Sequence, residues 1–275
     1  MAQEIDVVWL PSEQWDPQGR AVAVIDVLRA TSVAVTALEN GARAVVPVAD
    51  PSSARRAFDA FEPGSALLGG ERQNVRLPGF HFGNSPAEYT RAAVAGKVIV
   101  TTTTNGTRAL LSARGAARLA AAALLNGPAV AEWCLRTGLP CTLLCAGSEG
   151  RCSLEDVVCA GLIGQEFARR AAAAGEAVIW TDGARAAALV AAAYAAEPGR
   201  ALRESAHGQR LARSGFAEDL ARCGAWGVTE VVPEWAGDRL VLGGPQAGNQ
   251  RPVRRGSDGK SGLWPPGRDR ESTDG

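Results

Sequence analysis

Four charged side chains stand just beyond short apolar runs of this 275-residue sequence. Asp26 and Arg29 follow the run at residues 21–25, and Glu71 and Arg72 follow the run at 66–68 by way of Gly69 and Gly70. Asp26 and Glu71 are hard oxygen donors, and Mg²⁺ often takes one or two carboxylates while keeping several waters. An ion held there would neutralise a phosphoryl group and could position an attacking water. Arg29 and Arg72 can each grip an anion through paired hydrogen bonds. A third stretch supplies hydroxyls. The run at 98–100 leads to Thr101, Thr102, Thr103, Thr104, Asn105, Gly106 and Thr107. The expectation there is a phosphate cradle over Thr103, Thr104, Asn105, Gly106 and Thr107. Thr107 would cap a helix whose N-terminal N–H groups face the oxyanion. A threonine-rich strand end with an ordinary cap reads equally well.

Such residues need a scaffold that gathers strand ends. Short runs of apolar, often β-branched residues predict strands at 5–10, 21–25, 44–48, 66–68, 98–100, 117–123, 141–145 and 177–180. Helical spacing predicts helices at 31–40, from Pro51, at 86–94, after Thr107, at 128–136, at 153–173 and through most of 181–226. Strands and helices alternate, and the strands are apolar on both faces. That pattern predicts a three-layer α/β/α fold with a largely parallel or mixed sheet, with room for two similar subdomains. Ligands of such sheets bind beyond the carboxyl ends of the strands. Four strand ends here carry polar sequence, so carboxylates, guanidiniums and hydroxyls would meet at one cavity if those strands lie together.

Secondary candidates surround these. Residues 71–85 form a long loop, rich in Gly, Pro, Asn and Arg, in which Asn84 and Ser85 would line the cavity and His81 is a further substrate contact. Ser153-Leu-Glu155-Asp156 has the spacing of a capping box, and both acids are further candidates for metal or acid–base roles. His207 is expected at a helix turn. Cys145 and Arg151 have the Cys-x5-Arg spacing of thiol phosphatases, in which a thiolate attacks phosphorus. Leu144, Glu149 and Cys152 fit that chemistry poorly, and a buried, inert Cys145 is the simpler reading.

Composition removes other classes. Lys+Arg and Asp+Glu are equal at 29 each, so no global field calls for nucleic acid or a membrane surface. No apolar run is long enough to span a bilayer, and the N-terminal residues lack a basic leader. Six cysteines show neither a CxxC pair nor zinc spacing, which suits reduced thiols in a cytoplasmic protein. The expected partner is therefore a small anionic molecule, with neither nucleic acid nor membrane; a homo-oligomer is left open. From residue 237 onward the sequence turns to Gly, Pro, Arg and Asp, and residues 237–275 are expected to be a largely disordered tail.

The polar segments together resemble the 2-phosphosulfolactate phosphatase family. The resemblance rests on Asp26-Val-Leu-Arg29-Ala-Thr31, Gly69-Gly-Glu71-Arg72, Gly79-Phe80 with Gly83-Asn84-Ser85-Pro86, and Thr101 to Thr107. It continues in Ala146-Gly147 with Ser153 to Asp156, and in Gly208 to Leu211 with Asp219, Cys223 and Pro233. It makes residues 1–236 the phosphatase domain. It implies an α/β, Mg²⁺-dependent phosphoric monoester hydrolase acting on phosphoesters of 2-hydroxy acids. The reference reaction converts (2R)-2-phospho-3-sulfolactate and water to 3-sulfolactate and phosphate, in coenzyme M biosynthesis. His81 departs from the family pattern, which leads one to expect an acidic residue there. A non-catalytic sensor of a phosphorylated or sulfonated acid is the alternative of a different class.

Overall fold

The computed structural model describes residues 2–243. In chain order it runs β1 (Gln3–Val8), β2 (Ala21–Ile25), α1 (Ala30–Glu39), β3 (Ala44–Pro47), α2 (Pro51–Asp59), β4 (Ala66–Arg72) and β5 (Val75–Arg76). There follow α3 (Arg91–Val94), β6 (Val98–Thr102), α4 (Gly106–Ser112), β7 (Arg118–Ala122), α5 (Gly127–Thr137), β8 (Cys141–Cys145), α6 (Leu154–Ala173) and β9 (Val178–Trp180). Four helices come next: α7 (Asp182–Ala192), α8 (Gly199–Glu204), α9 (Ala206–Arg213) and α10 (Ala217–Cys223). A hairpin, β10 (Pro233–Ala236) and β11 (Arg239–Leu242), completes the described chain.

One mixed sheet holds all the strands, in the order β5-β4-β6-β3-β11-β10-β7-β2-β8-β1-β9. Its central strands are apolar on both faces because both faces are covered. In β2, Ala21, Ala23 and Ile25 enter one core, while Val22 and Val24 enter the core on the opposite side. β8 divides the same way, with Cys141, Leu143 and Cys145 on one side and Leu144 on the other. This period of two makes the fold three-layered, α/β/α.

The sheet has two parallel groups, β4-β6-β3 and β7-β2-β8-β1-β9. The β10–β11 hairpin joins them, pairing antiparallel with β7 through Glu234–Ala120 and with β3 through Leu240–Val45. A tail boundary at residue 237 therefore cuts through a hairpin. Leu240 is fully buried between the two groups, which is what anchors this short segment. The disordered tail expected beyond it lies outside the described residues. The helix expected at 86–94 is instead a short 3-10 turn at Pro86–Glu88 followed by the single-turn α3.

Candidate active site

The strand ends that carry the polar residues are not all neighbours. β4 and β6 adjoin, as do β2 and β8, but four strands separate the two pairs. Loops close the gap. Gly106, at the start of α4, lies against the turn after β2, where an added Cβ would sit 2.5 Å from both Asp26 Oδ2 and Ala30 Cβ. Only glycine lets the two ends approach so closely.

On the β2 side, Asp26 is buried. Its backbone N–H donates to Thr31 Oγ1 (3.0 Å), the Thr31 hydroxyl donates to the Asp26 carbonyl (2.8 Å), and Asp26 Oδ1 accepts from the Ala30 N–H (3.2 Å). These bonds fix the turn into α1. Burial pushes the Asp26 carboxyl up to about 6, with Glu71 and Glu155 adding to the rise while His207 and the Ala30 N–H oppose it.

On the β4 side, Glu71 Oε1 accepts from the Thr104 N–H (3.2 Å) and hydroxyl (3.1 Å), and Oε2 accepts from the Asn74 N–H (2.8 Å). Gln73 and Asn74 form the β4–β5 turn with φ of 53° and 66°, so the expected long loop is partly a tight hairpin. Arg72 donates to the Glu71 carbonyl (2.6 Å) and to Thr102 Oγ1 (3.1 Å) and has no carboxylate partner among the described residues.

The hydroxyl cradle is narrower than expected. Thr103 and Thr107 satisfy each other: each backbone N–H donates to the other's Oγ1, at 3.0 and 3.1 Å. Thr107 therefore closes the loop from inside rather than capping α4, whose N-cap position is Asn105. The Thr104 N–H and hydroxyl serve Glu71, which leaves Asn105 as the amide of this loop that faces the cavity.

The third wall comes from the helices. Arg29 is among the most deeply buried side chains, and its Nη1 donates to Asp219 Oδ2 at 2.7 Å, with the Phe216 ring 4.3 Å away. Ser85 donates to the other Asp219 oxygen (2.6 Å) and lies behind the cavity, not in its lining. Arg29 thus reaches the cavity with its charge already shared. At the start of α6, Ser153 makes no side-chain cap, so the expected capping box does not form. Asp156 instead accepts from the Val27 N–H (2.9 Å) and the Gly147 N–H (3.1 Å), clipping the β2 and β8 ends together. Burial beside Glu155 and Asp26 raises its carboxyl well above the usual range. Both its oxygens are engaged, which makes it a strut. On α9, His207 and Arg210 share a face at i, i+3 spacing, and Arg210 donates to Ser148 Oγ (2.9 Å).

Together these groups line a cavity of about 340 Å³. Of the residues expected from sequence, Asp26, Arg29, Glu71, Arg72, Asn84, Thr103, Thr104 and Asn105 lie in its lining; Ser85, Gly106 and Thr107 stand behind it. Ser148 and Glu149, from the polar end of the strand at 141–145, are there too; Gln73, Asn74 and His207 were not expected in the lining, and Arg210, with Asp219 behind Arg29, stood only in the family resemblance without a role at the site. The i, i+3 spacing of His207 and Arg210 was the available signal for one helix face. His81 is not in the lining: its Nδ1 accepts from the Leu68 N–H (3.0 Å), and its ring packs against Phe58. Cys145 is fully buried outside the lining, and burial pushes its thiol well up, so it is no thiolate nucleophile.

Asp26 and Glu71 suit a hard cation. Glu71 adds to the cost of ionising the buried Asp26, and a divalent ion would relieve it. Among the described residues no cluster of three or more His, Cys, Asp or Glu has the arrangement of a metal site.

A family model described as 2-phosphosulpholactate phosphatase matches residues 10–238. A protein of Symbiobacterium thermophilum named "Probable 2-phosphosulfolactate phosphatase" is 42% identical over 224 residues, covering 82% of this chain and 94% of its own length. Proteins of the same name from Carboxydothermus hydrogenoformans and Pseudothermotoga lettingae are 38% and 39% identical. These alignments cover 84% and 88% of this chain, and 92% and 100% of the relatives.

Proposed function

The chain belongs to the 2-phosphosulfolactate phosphatase family and is a phosphoric monoester hydrolase, and we propose that Asp26 and Glu71 hold a Mg²⁺ ion for hydrolysis of a 2-hydroxy-acid phosphoester. The reference substrate is (2R)-2-phospho-3-sulfolactate, giving 3-sulfolactate and phosphate. The observation that carries the site assignment is the meeting of Asp26, Glu71, Arg72, Arg210 and Asn105 around one 340 Å³ cavity. When bound, the ion supplies two positive charges against the phosphoryl oxygens.

The chain's own groups do the rest. Glu71 is oriented by Thr104 and Asn74, so its carboxylate needs little reorganisation when the substrate arrives. Asn105 donates to the phosphoryl group. Arg72 and Arg210, without carboxylate partners among the described residues, pair with the substrate's carboxylate and sulfonate. Arg29, tied to Asp219, sets the wall between them. Partial exclusion of water strengthens each contact.

No helix of the described residues is long and apolar enough to cross a membrane. With the six cysteines free, this supports a cytoplasmic enzyme. A role in coenzyme M biosynthesis follows from the reference reaction. The test is phosphate release from 2-phosphosulfolactate and 2-phospholactate, with Mg²⁺ and with chelator. Release that depends on Mg²⁺ is expected. Tight binding of either ester without release would identify a sensor instead.

A further inference from the structure

Behind the cavity lies a carboxylate with no evident structural duty. Glu155 is 1% exposed, and neither of its oxygens has a hydrogen bond of good geometry. A buried, unsatisfied carboxylate is costly and needs an explanation. Its neighbour Asp156 is fully used by two backbone N–H groups; Glu155 is not. Ser153 and the residue's own backbone N–H lie near it, and the one side chain that could carry a matching charge there is His207, whose Nδ1 stands 3.5 Å from Glu155 Oε1. His207 is itself in the cavity lining. With Nδ1 turned toward Glu155, Nε2 is the ring nitrogen left for whatever the cavity binds. Ser205 caps α9 through the Gly208 N–H (2.9 Å), and Gly208 packs so closely on Leu202 that α9 is fixed in place. The ring is therefore carried on a rigid element, oriented from behind by a buried acid.

We propose that His207 is the catalytic residue that protonates the leaving oxygen, and that Glu155 is the positioning residue that holds its ring. This rests on the phosphatase reading of the site. In the step, the water oxygen bonds to phosphorus as the bond between phosphorus and the 2-hydroxyl oxygen breaks. That oxygen takes the proton from Nε2 and leaves as the alcohol. Phosphate departs with both water protons, and one of them returns to the imidazole directly or through solvent. The net change is ester plus water to alcohol plus hydrogen phosphate. A 2-hydroxy acid is a poor leaving group as its alkoxide, so this proton matters most for such substrates.

Two esters differing in one atom test it: 2-phospholactate and its analogue with sulfur as the bridging atom. A thiolate leaves without a proton. His207→Gln is expected to slow the oxygen ester by about 100-fold or more and the sulfur ester by less than about 10-fold. Equal slowing of both esters, or no slowing of the oxygen ester, would overturn the proposal. His207→Ala, assayed with added imidazole, provides a second measurement; recovery of oxygen-ester turnover is expected, and none would count against the role. Glu155→Gln should lower kcat about 10-fold on the oxygen ester with KM little changed; a rise in KM alone would remove Glu155 from the step. Wild-type protein that releases no phosphate from either ester would instead sink the phosphatase reading.

Discussion

Replacing Asp219 with Asn probes the least expected contact of the site. Arg29 and Asp219 form an ion pair at 2.7 Å with side chains 1% and 3% exposed, and Ser85 donates to the second Asp219 oxygen. Asn keeps the shape and an oxygen for the Ser85 hydroxyl, so the change removes charge and little else. It leaves Arg29 buried and uncompensated. Breaking a buried pair from one side costs about 3–5 kcal/mol. For a domain of this size each kcal/mol lowers Tm by about 2–4 °C, which puts the expected drop at about 6–20 °C. Urea unfolding of wild type and Asp219→Asn would measure the free energy directly. Because Arg29 borders the cavity, inorganic phosphate should raise the Tm of the variant more than that of wild type. Removing both charges, with Arg29→Met and Asp219→Leu, should recover most of the stability. A loss below about 1 kcal/mol in Asp219→Asn would mean that water reaches the pair, and that α10 does not seal this wall.

Three further outcomes are expected. Gly106→Ala places a methyl group 2.5 Å from Asp26 Oδ2 and Ala30 Cβ, so it should cost about 1–3 kcal/mol in urea unfolding and lower kcat by displacing Asp26. Activity at the wild-type level would show that the two strand ends are not held together there. Arg210→Gln should raise KM for 2-phosphosulfolactate more than for 2-phospholactate, which lacks the third anion; an equal rise for both would place the sulfonate elsewhere. The ion-free protein should also show a pH-dependent stability traceable to Asp26. Its folded carboxyl titrates at about 6, above the ordinary value of 3.8. The stability it contributes is full below about 3.8 and is lost as pH rises through about 6. Relative to Asp26→Asn, wild type in chelator should lose up to about 3 kcal/mol between pH 4 and pH 7, and Mg²⁺ should restore it. A constant difference between the two proteins across that range would refute the burial of Asp26.

The strands were legible because their cores are continuous apolar runs, as in residues 21–25 and 141–145, and their polar ends marked where a ligand would sit. Strand order was not legible. It depends on a hairpin, β10–β11, whose first strand carries Pro233 and Glu234 and shows no strand pattern, and whose second, Arg239–Leu242, falls in the stretch that reads as tail; the burial of Leu240 reveals its place. Side-chain roles split similarly. A carboxylate after a strand announces itself, so Asp26 and Glu71 stood out. Which hydroxyl faces the ligand depends on pairing within a turn, and Thr103 and Thr107 turned out to bind each other. His207, Arg210 and Asp219 drew no site role from the sequence, although the last two fall in segments that carry the resemblance, because they sit on short, charged helices far along the chain, where polar residues usually mean solvent.

The charges of the cavity argue for a cation and against a bare anion hole. Three guanidiniums in its lining, those of Arg29, Arg72 and Arg210, face three carboxylates, those of Asp26, Glu71 and Glu149. Asp219 and Glu155, buried behind Arg29 and His207, tilt the local balance to negative. A phosphorylated sulfonic and carboxylic acid would enter such a site against net repulsion, and burial would magnify it. The two charges of a bound divalent ion would offset those of the two acids behind. The same carboxylates that would repel an unaccompanied ester are the ones proposed to recruit the ion and hold the imidazole. Metal and substrate should therefore bind with positive coupling, each raising the other's affinity by the same factor. Titration of Mg²⁺ at zero and saturating 3-sulfolactate plus phosphate would measure that factor; a value of one would mean that the ion and the anions occupy separate sites.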